Sequence, residues 1–180
     1  MKPRVSVLDS KIIYDGRVVK LRRDRIIEPG GVEATREIVA HPGSVVVLPL
    51  LPGNRVLLIR QYRYAAGQSL WELVAGGLEP GESVVQAARR ELLEETGYRA
   101  RRFRKLLSFF PSPGFVAEQM HLVLATDLTA GHAQPESDER ITSRVFSMSE
   151  LRKMLKASRI RDGKTLVGIS WLLSSKHRAD

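Results

Sequence analysis

The segment GGLEPGESVVQAARRELLEETGY, residues 76–98, carries a turn, a helix start, an acid cluster and a helix stop in that order. Pro80-Gly81 is a turn signal. Ser83 and Gln86 have the spacing of a capping box, which predicts a helix beginning near Ser83. Gly97 suits the left-handed position that closes a helix. Between these limits Val84, Ala87, Ala88, Leu92 and Leu93 supply an apolar side. Glu91, Glu94 and Glu95 fall within two turns, with Glu91 and Glu95 about 40° apart around the axis. Three like charges on one arc repel. They are tolerated if solvated, or if a hard divalent cation binds them through oxygen. Arg90 lies four residues before Glu94, so Glu94 reads either as a metal ligand or as the partner of an intrahelical ion pair. Glu82 is about 180° from Glu91 on a continuous helix. It precedes the cap, however, so its direction is open.

The spacing of fixed residues narrows this choice. Gly76 is followed after five residues by Glu82, and after seven more by Arg90-Glu91-Leu92. Then come Glu94-Glu95 and Gly97-Tyr98. This resembles the Nudix box with every fixed position filled, a far more specific match than a lone glycine fingerprint. The resemblance implies hydrolysis, dependent on Mg²⁺ or Mn²⁺, of a nucleoside diphosphate linked to another group. It also implies an α/β fold, an α/β/α sandwich around a mixed sheet.

Composition is compatible with that reading. A chain of 180 residues can bury a sizeable core. It has no cysteine, hence no disulfide framework and no thiol chemistry. No apolar run approaches membrane-spanning length and MKPRVSVLDS lacks a signal-peptide core, so no membrane association and a cytoplasmic location are expected. The net charge of +9 fits nucleic acid, a phosphorylated small substrate, or solubility. The basic clusters at 17–25 and 99–105 lack aromatics spaced as stacking platforms, so nucleic acid is not expected as a partner.

Residues 4–40 alternate β-rich stretches with turns at Asp15-Gly16 and Pro29-Gly30-Gly31, which predicts a small antiparallel sheet ahead of the main domain. Strands 44–51 and 55–63 form a buried hairpin around Pro52-Gly53-Asn54. Further strands are expected at 103–110, 120–128 and 141–148. A short helix should follow Ser149, and a closing one should have its core at 166–173. The organisation expected is an N-terminal β subdomain, 1–40, and a hydrolase domain, 41–180.

Beyond the box, IRQYRYAAGQSLWELVAGGLEPGE and the proline fifteen residues after Tyr98, Pro113 in SPGFVAEQ, are similar to the ADP-ribose pyrophosphatase branch of that superfamily. The similarity implies residue roles. Ala75 would offer a backbone carbonyl to the metal beside Glu91, Glu95 and Glu94. Arg63 would hold the pyrophosphate, a task suited to its planar fork. Glu139 in the acidic loop 134–140 would act as general base or orient the water, with Glu136 and Asp138 as neighbours. Glu118 is a further metal-side acid. Arg36 and Glu37 stand where some relatives carry an aromatic residue and a glutamate against the base, and Pro113-Gly114 would line the substrate site. Arginine in place of the aromatic could stack by its guanidinium plane. The substrate expected is a nucleoside diphosphate sugar, ADP-ribose before GDP-mannose, UDP-glucose or a dinucleoside polyphosphate. A non-catalytic nucleotide-sugar sensor is the alternative of another class, and a full acid cluster argues against it. The same branch implies a homodimer paired through the N-terminal strands, which would also reach the base. His41 and His121 read as structural, because no second histidine stands at ligand spacing.

Overall fold

In the computed structural model, which describes residues 4–131 and 141–175, the chain divides into two units. One is Met1–Gly43 with Phe110–Gln119, and the other is Ser44–Phe109 with Met120–Asp180.

The first unit is the expected antiparallel sheet, β1 (Ser6–Asp15), β2 (Lys20–Ile27) and β3 (Glu33–Ala40), in spatial order β1-β2-β3. Gly30 and Gly31 take φ of 104° and 85° at the second turn, a conformation that side chains with a Cβ rarely adopt. Asp24 is buried in β2, where it accepts hydrogen bonds from Ser10 Oγ at 2.7 Å and Arg22 Nε at 2.9 Å. The free edge of β3 is covered by the 110–119 segment. The Val39 amide donates to Phe115 O at 2.8 Å, and the Ala117 amide donates to Val39 O at 2.9 Å. Covering an edge strand removes a row of unpaired backbone groups.

The second unit is built on β4 (Ser44–Leu51), whose SVVVLPLL run is buried along nearly its whole length. Continuous burial marks a strand covered on both faces. Val46 and Leu48 enter one core and Val45 and Val47 the other, as the period of two requires. The sheet order is β10 (Ile141–Ser147), β5 (Arg55–Arg63), β4, β9 (Met120–Thr129), β8 (Arg99–Phe109). β6 (Gln68–Glu72) pairs with β5 and β7 (Val74–Gly77) with β4. β4 runs parallel to β9 and antiparallel to β5 and β7, so the sheet is mixed. Helix α1 (Val84–Thr96) covers one face with Ala87, Ala88 and Leu92. Helices α2 (Met148–Lys156) and α3 (Gly163–Ser174) cover the other through Leu151, Ile169 and Leu172. This is the α/β/α sandwich.

Three strands differ from the sequence reading. β8 begins at Arg99, four residues before the expected start. Its arginines point outward while Ala100 and Phe103 pack under α1, so charge masked the alternation. β6 and β7 were not anticipated, being short and separated by Leu73 alone. They fork the sheet, since β7 pairs with the start of β4 and β5 with its end. Glu72 ends β6 at that fork.

Gly168 on α3 faces Leu73, where an added Cβ would lie 2.4 Å from Cδ1 and 3.3 Å from Leu122 Cδ1. Both leucines are fully buried and cannot yield freely. Gly168→Ala is therefore expected to cost about 1–2 kcal/mol by overpacking, read as a lower urea midpoint at unchanged m-value.

Candidate active site

Helix α1 begins and ends where its local chemistry dictates. Ser83 Oγ accepts from the Gln86 amide, the Gln86 side chain accepts from the Ser83 amide at 2.9 Å, and Gly97 closes the helix at φ 73°. The helix buries two carboxylates on its inner side, Glu91 and Glu95, and leaves Glu94 partly exposed. An ionised carboxylate is retained at such depth only with compensating charge or hydrogen bonds.

Arg90 supplies much of that charge. Its Nε and Nη2 bind Glu82 at 3.0 and 2.9 Å. Its Nη1 reaches Glu91 Oε1 at 2.6 Å and Glu94 Oε2 at 3.2 Å, and Nη2 also donates to the Gly77 carbonyl at 3.0 Å. The i,i+4 pair with Glu94 is thus present, but it is the longest of these hydrogen bonds. The hydrogen bonds that Arg90 donates to Glu82 are the largest cause of a guanidinium pKa raised above its ordinary value, followed, after opposing burial, by those to Glu91. In return Arg90 holds the Glu82 carboxyl below its ordinary value. The Pro80-Gly81 turn folds Glu82 back over the helix start, which settles a direction that helical phase could not.

Gly76 stands against Glu91. A Cβ there would lie 1.8 Å from Oε1 and 2.4 Å from Oε2, so only glycine leaves the carboxylate its place. Ala75, paired with Val46 across β4 and β7, is the next residue along that backbone. Among the described residues no three Asp, Glu, His or Cys are gathered in ligand geometry, and Arg90 lies among the acids of α1 as a counter-ion. The donors themselves are hard oxygens, two buried carboxylates one turn apart, with Glu91 set against Gly76. That chemistry fits Mg²⁺ or Mn²⁺.

Arg63, at the end of β5, lies at the fork. Its Nε and Nη2 grip Glu72 Oε1 and Oε2 at 2.9 and 2.7 Å. The Glu72 hydrogen bond is the largest cause of a raised Arg63 pKa. Burial opposes it, and the charges of Glu72, Glu95 and Asp162 add to it. Arg63 therefore sits within the field of Glu95 on α1. Burial pushes the Glu72 carboxyl up, but Arg63 and Lys164 together bring it below its ordinary 4.5. A depressed carboxyl contributes stability that is complete above its unfolded pKa and is lost as pH falls through the folded one. Glu72→Gln is accordingly expected to flatten the dependence of unfolding free energy on pH below about 4.5. Denaturant titrations across that range check it, and an unchanged slope contradicts it.

In the first unit, Arg36, Glu37, Pro113 and Gly114 line one cavity of about 290 Å³, joined there by Phe115. Arg36 donates to Glu28 and, at 3.0 Å, to the Thr35 carbonyl, so its guanidinium is held in place. Glu118 belongs to the same unit, with an oxygen 3.8 Å from His41 Nδ1. His41 accepts from the Gly43 amide, and His121 Nδ1 shares a 2.8 Å hydrogen bond with Ser108 Oγ. Glu139, Glu136 and Asp138 lie outside the described residues.

Glu72, Asp162 and Lys164 escaped the sequence reading. Asp162 carried a usable signal, since it stands three before Thr165 as a helix cap and accepts from the Thr165 amide at 2.9 Å. Glu72 and Lys164 carried none, being 92 residues apart. No helix among the described residues is long and apolar enough to cross a membrane.

Comparison with known proteins places the chain in a family and a fold. The chain is 39% identical over 162 residues to the methanol dehydrogenase activator of Bacillus methanolicus, covering 89% of this chain and 88% of that protein. It is 35% identical over the same length and coverage to the ADP-ribose pyrophosphatase of Bacillus subtilis (strain 168). A solved structure of an ADP compounds hydrolase superposes with a TM-score of 0.83 over 94% of this chain and 92% of that one. At 20% identity it speaks for the fold. The NUDIX domain profile matches residues 40–166, and the chain belongs to the NUDIX family.

Proposed function

We propose that this chain hydrolyses the pyrophosphate bond of ADP-ribose to AMP and ribose 5-phosphate, with Mg²⁺ or Mn²⁺. The observation that carries the reading is the pair of carboxylates buried on α1, Glu91 against Gly76 and Glu95 near enough for its charge to act on Arg63. The relative named ADP-ribose pyrophosphatase supports the substrate.

Glu91 and Glu95, with the Ala75 carbonyl and Glu94, would hold the metal. Bound there, it would offset pyrophosphate charge and lower the pKa of a water. Arg63 spends two of its five N–H donors on Glu72, which leaves a free edge for phosphate oxygens. Charge that develops on the departing phosphate is stabilised by that edge without reorganisation. Glu139 would take the proton of the attacking water. Water adds to one phosphorus, and the bond from that phosphorus to the bridging oxygen breaks. The cavity of Arg36, Glu37 and Phe115 would take the base, its guanidinium and ring offering stacking faces.

Arg36→Ala is expected to raise KM about tenfold with kcat nearly unchanged, the pattern for binding shared by ground and transition states. A panel of ADP-ribose, GDP-mannose, UDP-glucose and a dinucleoside polyphosphate tests the substrate. ADP-ribose should have the highest kcat/KM, and a tenfold preference for another overturns the assignment.

The same proposal includes a homodimer formed through β1, in the cytoplasm. β1 exposes Val7, Leu8, Ile12, Ile13 and Tyr14, more apolar surface than one strand of a solvated sheet needs. Light scattering should return twice the chain mass, and a monomer counts against the pairing.

A further inference from the structure

We propose that Lys164, at the start of α3, is a positioning residue for pyrophosphate cleavage that acts through Glu72 on Arg63. The inference rests on the reading of Arg63 given above. Glu72 is fully buried and is held from two sides. Arg63 takes both oxygens in a fork, and Lys164 Nζ takes Oε2 at 2.5 Å. Lys164 is itself nearly buried and is anchored by Asp162 Oδ1 at 2.9 Å. Asp162 Oδ2 accepts from the Thr165 hydroxyl at 2.6 Å, and that hydroxyl oxygen accepts from the Leu73 amide at 2.7 Å. The circuit closes on the residue next to Glu72. It stitches the first turn of α3 to the fork of the sheet.

This arrangement does two things that an isolated Arg63–Glu72 pair would not. A guanidinium bound by two parallel N–H···O bonds lies in the plane of its carboxylate, so whatever fixes the carboxylate plane aims the free edge of Arg63. Lys164 fixes that plane by holding one oxygen. It also draws on the charge of Glu72, which would otherwise be spent wholly on Arg63. The positive charge of Arg63 is left available to a phosphate. With Asp162 included, two cations meet two carboxylates, so the buried group is balanced and the arginine is not held back by a surplus anion.

The test is a double-mutant cycle on kcat and KM for ADP-ribose with Mg²⁺, using Arg63→Ala, Lys164→Met, Lys164→Arg and the Arg63→Ala/Lys164→Met pair. Lys164→Met is expected to lower kcat about tenfold to a hundredfold, the range for residues that orient a site group. Lys164→Arg should recover most of it. The pair should be no worse than Arg63→Ala alone, since both act through one group. Losses that multiply in the pair, or a Lys164→Met enzyme within twofold of wild type while Arg63→Ala is disabled, overturn the proposal. If Lys164→Met does not fold, Lys164→Gln keeps a neutral N–H donor on a shorter side chain, and the same non-additivity is required of it. Wild-type turnover by Arg63→Ala would overturn the reading of Arg63 itself, an outcome visible in that single variant.

Discussion

Glu95→Gln should leave the protein folded and reduce kcat for ADP-ribose by about 10³-fold or more, on the order of 4 kcal/mol of transition-state stabilisation. The substitution keeps the shape of a side chain that is buried on the inner side of α1. What it removes is a charged oxygen that the proposed function assigns to the metal, and a neutral amide is a much poorer donor to a hard cation. The helix has reasons to persist, since its cap at Ser83, its stop at Gly97 and its apolar contacts through Ala87, Ala88 and Leu92 are untouched. Circular dichroism should be unchanged while turnover disappears at saturating Mg²⁺. Near wild-type turnover would remove Glu95 from the metal site.

Gly76→Ala reaches the same site from the strand. The added Cβ would fall 1.8 Å from Glu91 Oε1 and 2.0 Å from Cδ. Gly76 is not among the glycines at positive φ, so its backbone accepts alanine. The clash is with the far end of a flexible side chain, which can swing away at small cost to folding, about 1 kcal/mol. The carboxylate would then leave its place and its 2.6 Å bond to Arg90. The expected result is a loss of about 10²-fold or more in kcat with only a small fall in Tm. Gly77→Ala is the control. Nothing lies within 4 Å of its added Cβ, and the Gly77 carbonyl that Arg90 binds is backbone. It should behave as wild type. Equal damage from both alanines would show that strand rigidity matters and the Glu91 cradle does not.

What could be read in advance was local. Ser83 with Gln86 and Gly97 placed α1, and the apolar run SVVVLPLL placed a buried strand that the structure puts at the centre of the sheet. Arg90 was paired with Glu94 from spacing on one helix, and that contact is present. Its stronger partner, Glu82, depends on the Pro80-Gly81 turn folding back, which periodicity does not encode. The start of β8 was hidden because four arginines face solvent where an alternating apolar pattern was sought. Glu72 carries no local signal, because its partner Lys164 lies 92 residues away. Its burial is bearable only because Arg63 and Lys164 converge on it from distant parts of the chain. Arg36, Glu37, Pro113 and Gly114 were singled out by resemblance alone, and their shared cavity arises from the pairing of Val39 with the 110–119 segment.

The most direct test of the central claim is product analysis. The purified protein is incubated with ADP-ribose and Mg²⁺, with a parallel sample in excess chelator, and AMP and ribose 5-phosphate are quantified by chromatography. Equal amounts of the two products, formed only where the metal is free, are predicted. ADP-ribose that is bound but recovered intact, or cleavage undiminished by the chelator, would contradict it.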